Sequence, residues 1–158
     1  MGVSIVDGTI EAIDAGRKTR KFSIFKSIVF RETDGASRTI KKAVVSGQVA
    51  DQIVVGNSGR FYLFTSFDLK GVHGVRKPDG TAVYDFPGKG NAKLFMFLVP
   101  LNLAWIALRV VDKGDVPLLG VGLAILGAVG WFLIRKTDQE TRAQFDADLA
   151  WSGQDAAS

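Results

Sequence analysis

Apolar residues fall into two regimes along this chain. Over residues 94–111 and 117–134 they run almost unbroken for 18 residues each, and the one charged side chain within either run is Arg109. A helix rises about 1.5 Å per residue, so a run of that length matches the ~30 Å hydrocarbon core of a bilayer. Only residues 112–116 separate the runs, which predicts a helical hairpin that turns and re-enters. Upstream the pattern is alternation. Residues 3–6 and 9–13 read as one long strand bent at Gly8, and Phe22, Ile24, Ile28 and Phe30 recur with period two, Lys26 being the exception.

Turn chemistry divides the alternating region further. Asp34-Gly35 supplies the positive φ of a tight hairpin, so residues 37–45 are expected to return as a third strand. Residues 51–55 read as a fourth strand, ended by the Gly56-Asn57-Ser58-Gly59 cluster, with 60–67 a fifth and 71–75 a sixth. Residues 48–52 suit a short helical turn. Strands separated by turns, with no long helical period, predict an all-β N-terminal domain over residues 1–75, a small OB-like barrel or sandwich of five to six strands. Residues 76–93 read as a linker punctuated by Lys77-Pro78-Asp79-Gly80 and Phe86-Pro87-Gly88, with a short strand at 81–84. The transmembrane helical hairpin follows over 94–134. Residues 135–158 form a tail in which Thr137 or Asp138 is expected to cap a short C-terminal helix carrying Phe145, Leu149 and Trp151.

Within the hairpin, Gly120, Ala124 and Ala128 share a helical face, with Gly127 beside them, and small residues at this spacing allow close backbone approach. The pattern leaves open whether the first helix, another copy or a different protein fills that seam. Asn102 is costly in lipid and is expected to hydrogen-bond within protein.

Charge gives the hairpin a direction. Residues 1–93 carry +6, while residues 137–158 carry −4 with Arg142 as their sole cation. Arg76, Lys77, Lys89 and Lys93 precede the first run and Arg135, Lys136 and Arg142 follow the second, outweighing the turn with Asp112, Lys113 and Asp115. Positive flanks stay cytoplasmic. The expectation is a multi-pass protein of the inner (cytoplasmic) membrane with both termini cytoplasmic, its acidic tail packed on the basic head. The N-terminus lacks the basic and apolar regions of a signal peptide.

Candidate chemistry is sparse. The chain has no cysteine and one histidine, His73, near Gly71 and Gly74, which reads as a loop or strand-end residue. Metal sites ordinarily need three or four ligands, so neither a metal nor a cofactor is expected. Asp68, Asp79 and Asp85 are scattered over loops, where Asp stabilises turns. The densest charge is Arg17-Lys18-Thr19-Arg20-Lys21. With Lys26, Arg38, Lys41 and Lys42, and with Phe22, Phe25 and Phe30 interleaved, it suggests an anion-binding or lipid-headgroup surface. Barrel-core aromatics and solvated turn charges account for the same residues.

A small OB-like barrel joined to transmembrane helices is similar in architecture to the membrane-bound NfeD-like proteins. Those place the barrel after the helices, and no residue carries over. The leading expectation is a non-enzymatic adaptor or accessory subunit, displaying its β-domain at the cytoplasmic face. Its partners would be membrane lipids and a homo-oligomer or larger complex. The alternative is a tethered binding or sensory module whose basic face takes a nucleic acid, a nucleotide or an anionic headgroup, with nucleic acid the less favoured partner.

Overall fold

The alternating region closes on itself. In the computed structural model, which describes residues 2–66 and 69–151, β1 (Gly2–Lys18) pairs through Gly2–Thr9 with β4 (Ser58–Ser66) and through Gly8–Lys18 with β2 (Phe22–Glu32). Gly8 is the point of exchange. It faces both Glu32 and Gly59, and a Cβ there would overlap the Arg31 carbonyl oxygen, so only glycine fits. β2 pairs with β3 (Ser37–Ser46), β4 pairs with β5 (Leu69–Arg76), and a short parallel pairing of β3 with β5 completes a five-strand barrel in the OB-like arrangement. β6 (Ala82–Tyr84) extends β5 as a sixth strand, within residues that read as linker. The core joins Val6, Ile10, Ile28, Phe30, Phe61, Leu63, Val72 and Val75, with the Phe30 and Phe61 rings 5.0 Å apart. Burying each such side chain contributes about 1.5–3 kcal/mol.

Several sequence expectations need correction. Residues 51–55 are not a strand. α1 (Gly47–Ala50) is followed by turns in which Ile53 joins the barrel core while Val54 and Val55 stay exposed. The segment is held to β1 instead, through Gly56 N donating to Ile10 O and Ile10 N to Asn57 O. In β2 the inward residues are Ser23, Phe25, Ile28 and Phe30, so Phe22 and Ile24 lie outside. The register with β1 jumps from Ala15–Phe25 to Asp14–Ser27, leaving Lys26 as the extra residue of a bulge that reverses the face. Lys42, across from Lys26 in β3, has φ +54° and reverses that strand at the same level. Of the residues read as the fifth strand, Phe67 lies outside the described residues.

Two helices follow. α2 (Lys89–Lys113) ends at Gly114 in the left-handed conformation, its N–H donating to Val110 O. α3 (Leu118–Ala147) runs on without a break, so the described part of the tail continues α3 rather than forming a separate C-terminal helix. Thr137 and Asp138 lie inside α3, so neither stands at a helix start. The Thr137 hydroxyl donates to Leu133 O one turn back, as a mid-helix threonine does. Both helices are long and apolar enough to cross a membrane. Leu and Phe side chains such as Phe97, Leu101, Leu108, Leu119, Leu126 and Phe132 stand exposed, as befits a lipid-facing surface. The chain divides into two compact units, a hairpin of residues 88–138 and a head that combines residues 1–87 with residues from 139 onward.

Candidate functional site

The head contains a feature beyond a simple barrel. β4 places Phe61 and Leu63 in the core, so its alternate residues Tyr62 and Phe64 point outward, yet both are buried. A second layer covers them. Phe86 packs edge-on against Phe64 with ring centroids 5.3 Å apart, and Phe145, from the last turns of α3, packs against Tyr62 at 5.0 Å and Tyr84 at 5.3 Å. Gly74 of β5 makes the space. A Cβ there would lie 2.7 Å from the Phe145 ring.

Polar contacts fasten the same segment. Arg60 holds Asp7 bidentately, Nε to Oδ1 and Nη2 to Oδ2 both at 2.7 Å, and donates through Nη1 to Asp148 Oδ2 at 2.8 Å. The Tyr62 hydroxyl donates to that same Asp148 oxygen at 2.8 Å. Trp151 stacks on the Arg60 guanidinium, and Arg76 lies 4.2 Å above the Phe145 ring while donating to Phe145 O at 2.9 Å. That carbonyl lies in the last turn of α3, where it also accepts from Asp148 N at 3.4 Å, and a cation is favoured there. Tyr84 and Thr141 share a hydroxyl contact at 3.0 Å.

The electrostatics follow from these contacts. The Asp7 hydrogen bond, reinforced by Asp148, holds Arg60 firmly charged. Burial, then the Asp148 carboxylate, pushes the Tyr62 phenol above its ordinary value. Burial would raise the Asp148 carboxyl, but the hydrogen bonds from Arg60 and Tyr62 outweigh it and hold it below the usual range. The site is a set of charges satisfied by one another, the condition under which buried ions are tolerated.

His73 sits at its centre. β4 and β5 pair Tyr62 with Gly74 and then Leu63 with Val72, so His73 is the extra residue of a bulge. The bulge aims its ring into a box of Tyr62, Phe64 and Tyr84 at centroid distances of 6.2, 6.1 and 5.7 Å. The ring is fully buried, and neither nitrogen makes a hydrogen bond of normal geometry. Burial lowers its pKa from 6.5 to about 4, with the Thr141 backbone pulling the other way. It is therefore neutral at pH 7 and packs as an aromatic. Among the described residues no group of three His, Asp or Glu side chains is placed to hold a metal. Asp79 accepts from the backbone of Thr81 in a turn, and Asp68 lies outside the described residues.

The structure separates the residues singled out by the basic sequence run. Arg17 and Lys18, at the end of β1, line a cavity of about 320 Å³ that Asp51 also lines. Arg20 and Lys21 occupy the turn before β2 and are exposed. Phe25 and Phe30 are core residues, leaving Phe22 alone of the three interleaved aromatics on the surface. Lys26 is ion-paired with Asp14 and Arg31 with Glu11.

In the hairpin the small-residue seam is occupied by α2. A Cβ on Gly120 would meet Trp105 at 2.9 Å and Ile106 at 3.1 Å, and one on Gly127 would meet Val99 at 2.8 Å. Ala124 is buried with them, whereas Ala128 is exposed and lies off the seam. Asn102 Nδ2 donates to Gly120 O at 2.8 Å, so the polar group of α2 is satisfied within the pair.

Sequence reasoning placed the tail on the head but missed the receiving face. Of Phe145 and Leu149, both expected on the tail helix, only Phe145 is buried. The signal that marked the face was the doubly apolar run Phe61-Tyr62-Leu63-Phe64, which a half-wet strand does not need. Comparison with known proteins finds no match among family models, curated sequences or solved structures.

Proposed function

We propose that this chain is a non-enzymatic adaptor of the inner membrane, anchored by the α2–α3 hairpin and displaying the barrel head at the cytoplasmic face. The observation that carries the reading is the composition of the head, which takes residues from before α2 and from Gln139 onward, beginning within the last turns of α3. A folded unit entered from both ends of a two-helix hairpin lies on one side of the bilayer, which supports an even number of crossings and termini on the same side. The basic flanks of both helices favour the cytoplasm for that side. Sealing of the aromatic face by the chain's own tail supports a rigid display module. Because α2 already fills the small-residue seam, association with further copies or other subunits falls to the exposed helix faces or to the barrel.

The absence of native cysteine permits a direct test. Ala36→Cys in the head and Lys113→Cys in the hairpin turn, both at exposed positions, are labelled in intact cells with a membrane-impermeant maleimide. The turn cysteine is expected to react from outside and the head cysteine only after lysis. Labelling of Ala36→Cys in intact cells overturns the orientation. Crosslinking in native membranes followed by sizing is expected to recover the chain in a complex, and a strict monomer without partners overturns the adaptor reading.

A further inference from the structure

Cations on this head differ in how they are satisfied. Lys26, Arg31 and Arg60 each have a carboxylate partner. Arg38, Lys41 and Lys70 have none among the described residues, yet the fold brings them together. Among the described residues β3 pairs with β5 only through Ala43–Val45 and Lys70–Val72, and upstream of Ala43 the strand's described partner is β2. An opening lies beside that stretch. The opening is a cleft of about 360 Å³, lined by Arg38 and Lys41 from β3, Lys70 from β5 and the hydroxyls of Ser4, Thr39 and Thr65. None of its lining residues among the described ones is acidic. The Arg38 guanidinium is half-buried and oriented by Nη2 donating to Ser4 Oγ at 2.9 Å.

We propose that this cleft is a binding site for the phosphate group of a small phosphorylated ligand. Three like charges around one opening repel one another, and an anion relieves the repulsion while accepting charge-assisted hydrogen bonds from all three. A fixed guanidinium fork supplies the geometry that phosphate oxygens match, two flexible ammonium groups supply charge, and hydroxyls of serine and threonine complete the donor set. The volume lies at the lower end of the range for small-molecule pockets, which suits a mononucleotide or a headgroup better than a polymer. This site is distinct from the Arg17–Lys21 cluster, whose cavity Asp51 shares, and it is independent of whether the head recruits a partner.

The test uses the full chain in phosphatidylcholine nanodiscs, titrated calorimetrically with inorganic pyrophosphate and with adenosine monophosphate, sodium chloride matching the ionic strength. Saturable binding is expected. Lys41→Gln together with Lys70→Gln, both at exposed positions that leave the core intact, is expected to weaken it about tenfold or more, and Arg38→Lys to weaken it although charge is kept. Arg17→Gln with Lys18→Gln is expected to change it less than about twofold. Nanodiscs containing phosphatidylglycerol separate the sources. Weaker pyrophosphate binding there assigns the site to a lipid phosphate, and unchanged binding assigns it to a soluble one. No saturable binding in phosphatidylcholine, equal binding by the Lys41/Lys70 variant, or loss in the Arg17/Lys18 variant instead would each overturn the proposal.

Discussion

Phe145→Ala tests whether the tail is part of the head. The ring is 7% exposed, contacts Tyr62 and Tyr84 at 5.0 and 5.3 Å, and lies under the Arg76 guanidinium at 4.2 Å. Truncating a buried phenylalanine costs about 3–5 kcal/mol. The lower figure suits a segment at the edge of its domain, and about 3 kcal/mol corresponds to roughly two orders of magnitude in the opening equilibrium. The barrel core draws nothing from Phe145, so the loss falls on docking of residues 139–151 rather than on global unfolding. Two readouts follow. Amide protection over 139–147 is expected to drop about a hundredfold while that of Val6, Ile10 and Ile28 is kept. The single histidine supplies the second, because His73 loses its cover and its ring resonance should move its titration from about 4 toward 6.5. If the wild-type ring already titrates near 6.5, or if the variant leaves both protection and titration unchanged, the layer of Phe145 over β4 and β5 is not what buries His73.

Further predictions concern neighbouring contacts. The folded pKa of His73 lies below its free value, so the unfolded chain binds the extra proton between about pH 4 and 6.5. Stability from this group is full above pH 6.5 and is lost as pH falls toward 4, a total of about 3 kcal/mol. His73→Phe is expected to flatten that part of a denaturation-against-pH curve, and a slope unchanged by the substitution would assign it to other groups. Asp148→Asn leaves Arg60 its Asp7 partner but removes the charge that accepts from Arg60 and Tyr62, an expected loss of about 1–3 kcal/mol by urea unfolding. Gly127→Leu should separate α2 from α3, since a Cβ already meets Val99 at 2.8 Å, whereas Ala128→Leu at its exposed position should be tolerated. Equal effects of the two on disulfide trapping between engineered cysteines in α2 and α3 would place the seam elsewhere.

What the sequence determined by itself was whatever depends on neighbours in the chain. Two 18-residue apolar runs specify membrane-length helices, because lipid sets both the length and the polarity such a segment needs. Gly114 ends α2, Asp34-Gly35 turns β2 into β3, and alternation over residues 3–13 makes a strand, each through local backbone chemistry. Residues 15–18, whose polar composition reads as a turn, instead continue β1 by pairing with β2. Tertiary structure decided what depends on distant partners. The faces of Phe22 and Phe25 reverse because a bulge at Lys26 is defined only by the register of β1 against β2. Residues 51–55 have a strand's composition and become a turn because β1 accepts their hydrogen bonds and the core takes Ile53. The small-residue seam was visible at Gly120 and Gly127, and its occupant was not, since Val99 and Trp105 fit it by shape. The tail was legible as a charged segment, but its seat required Arg60 and Asp148, 88 residues apart, to meet beside a bulged histidine. Nothing in local sequence specifies that meeting. It arises when closure of the barrel turns Tyr62 and Phe64 outward and leaves them an apolar surface that only another part of the chain can cover.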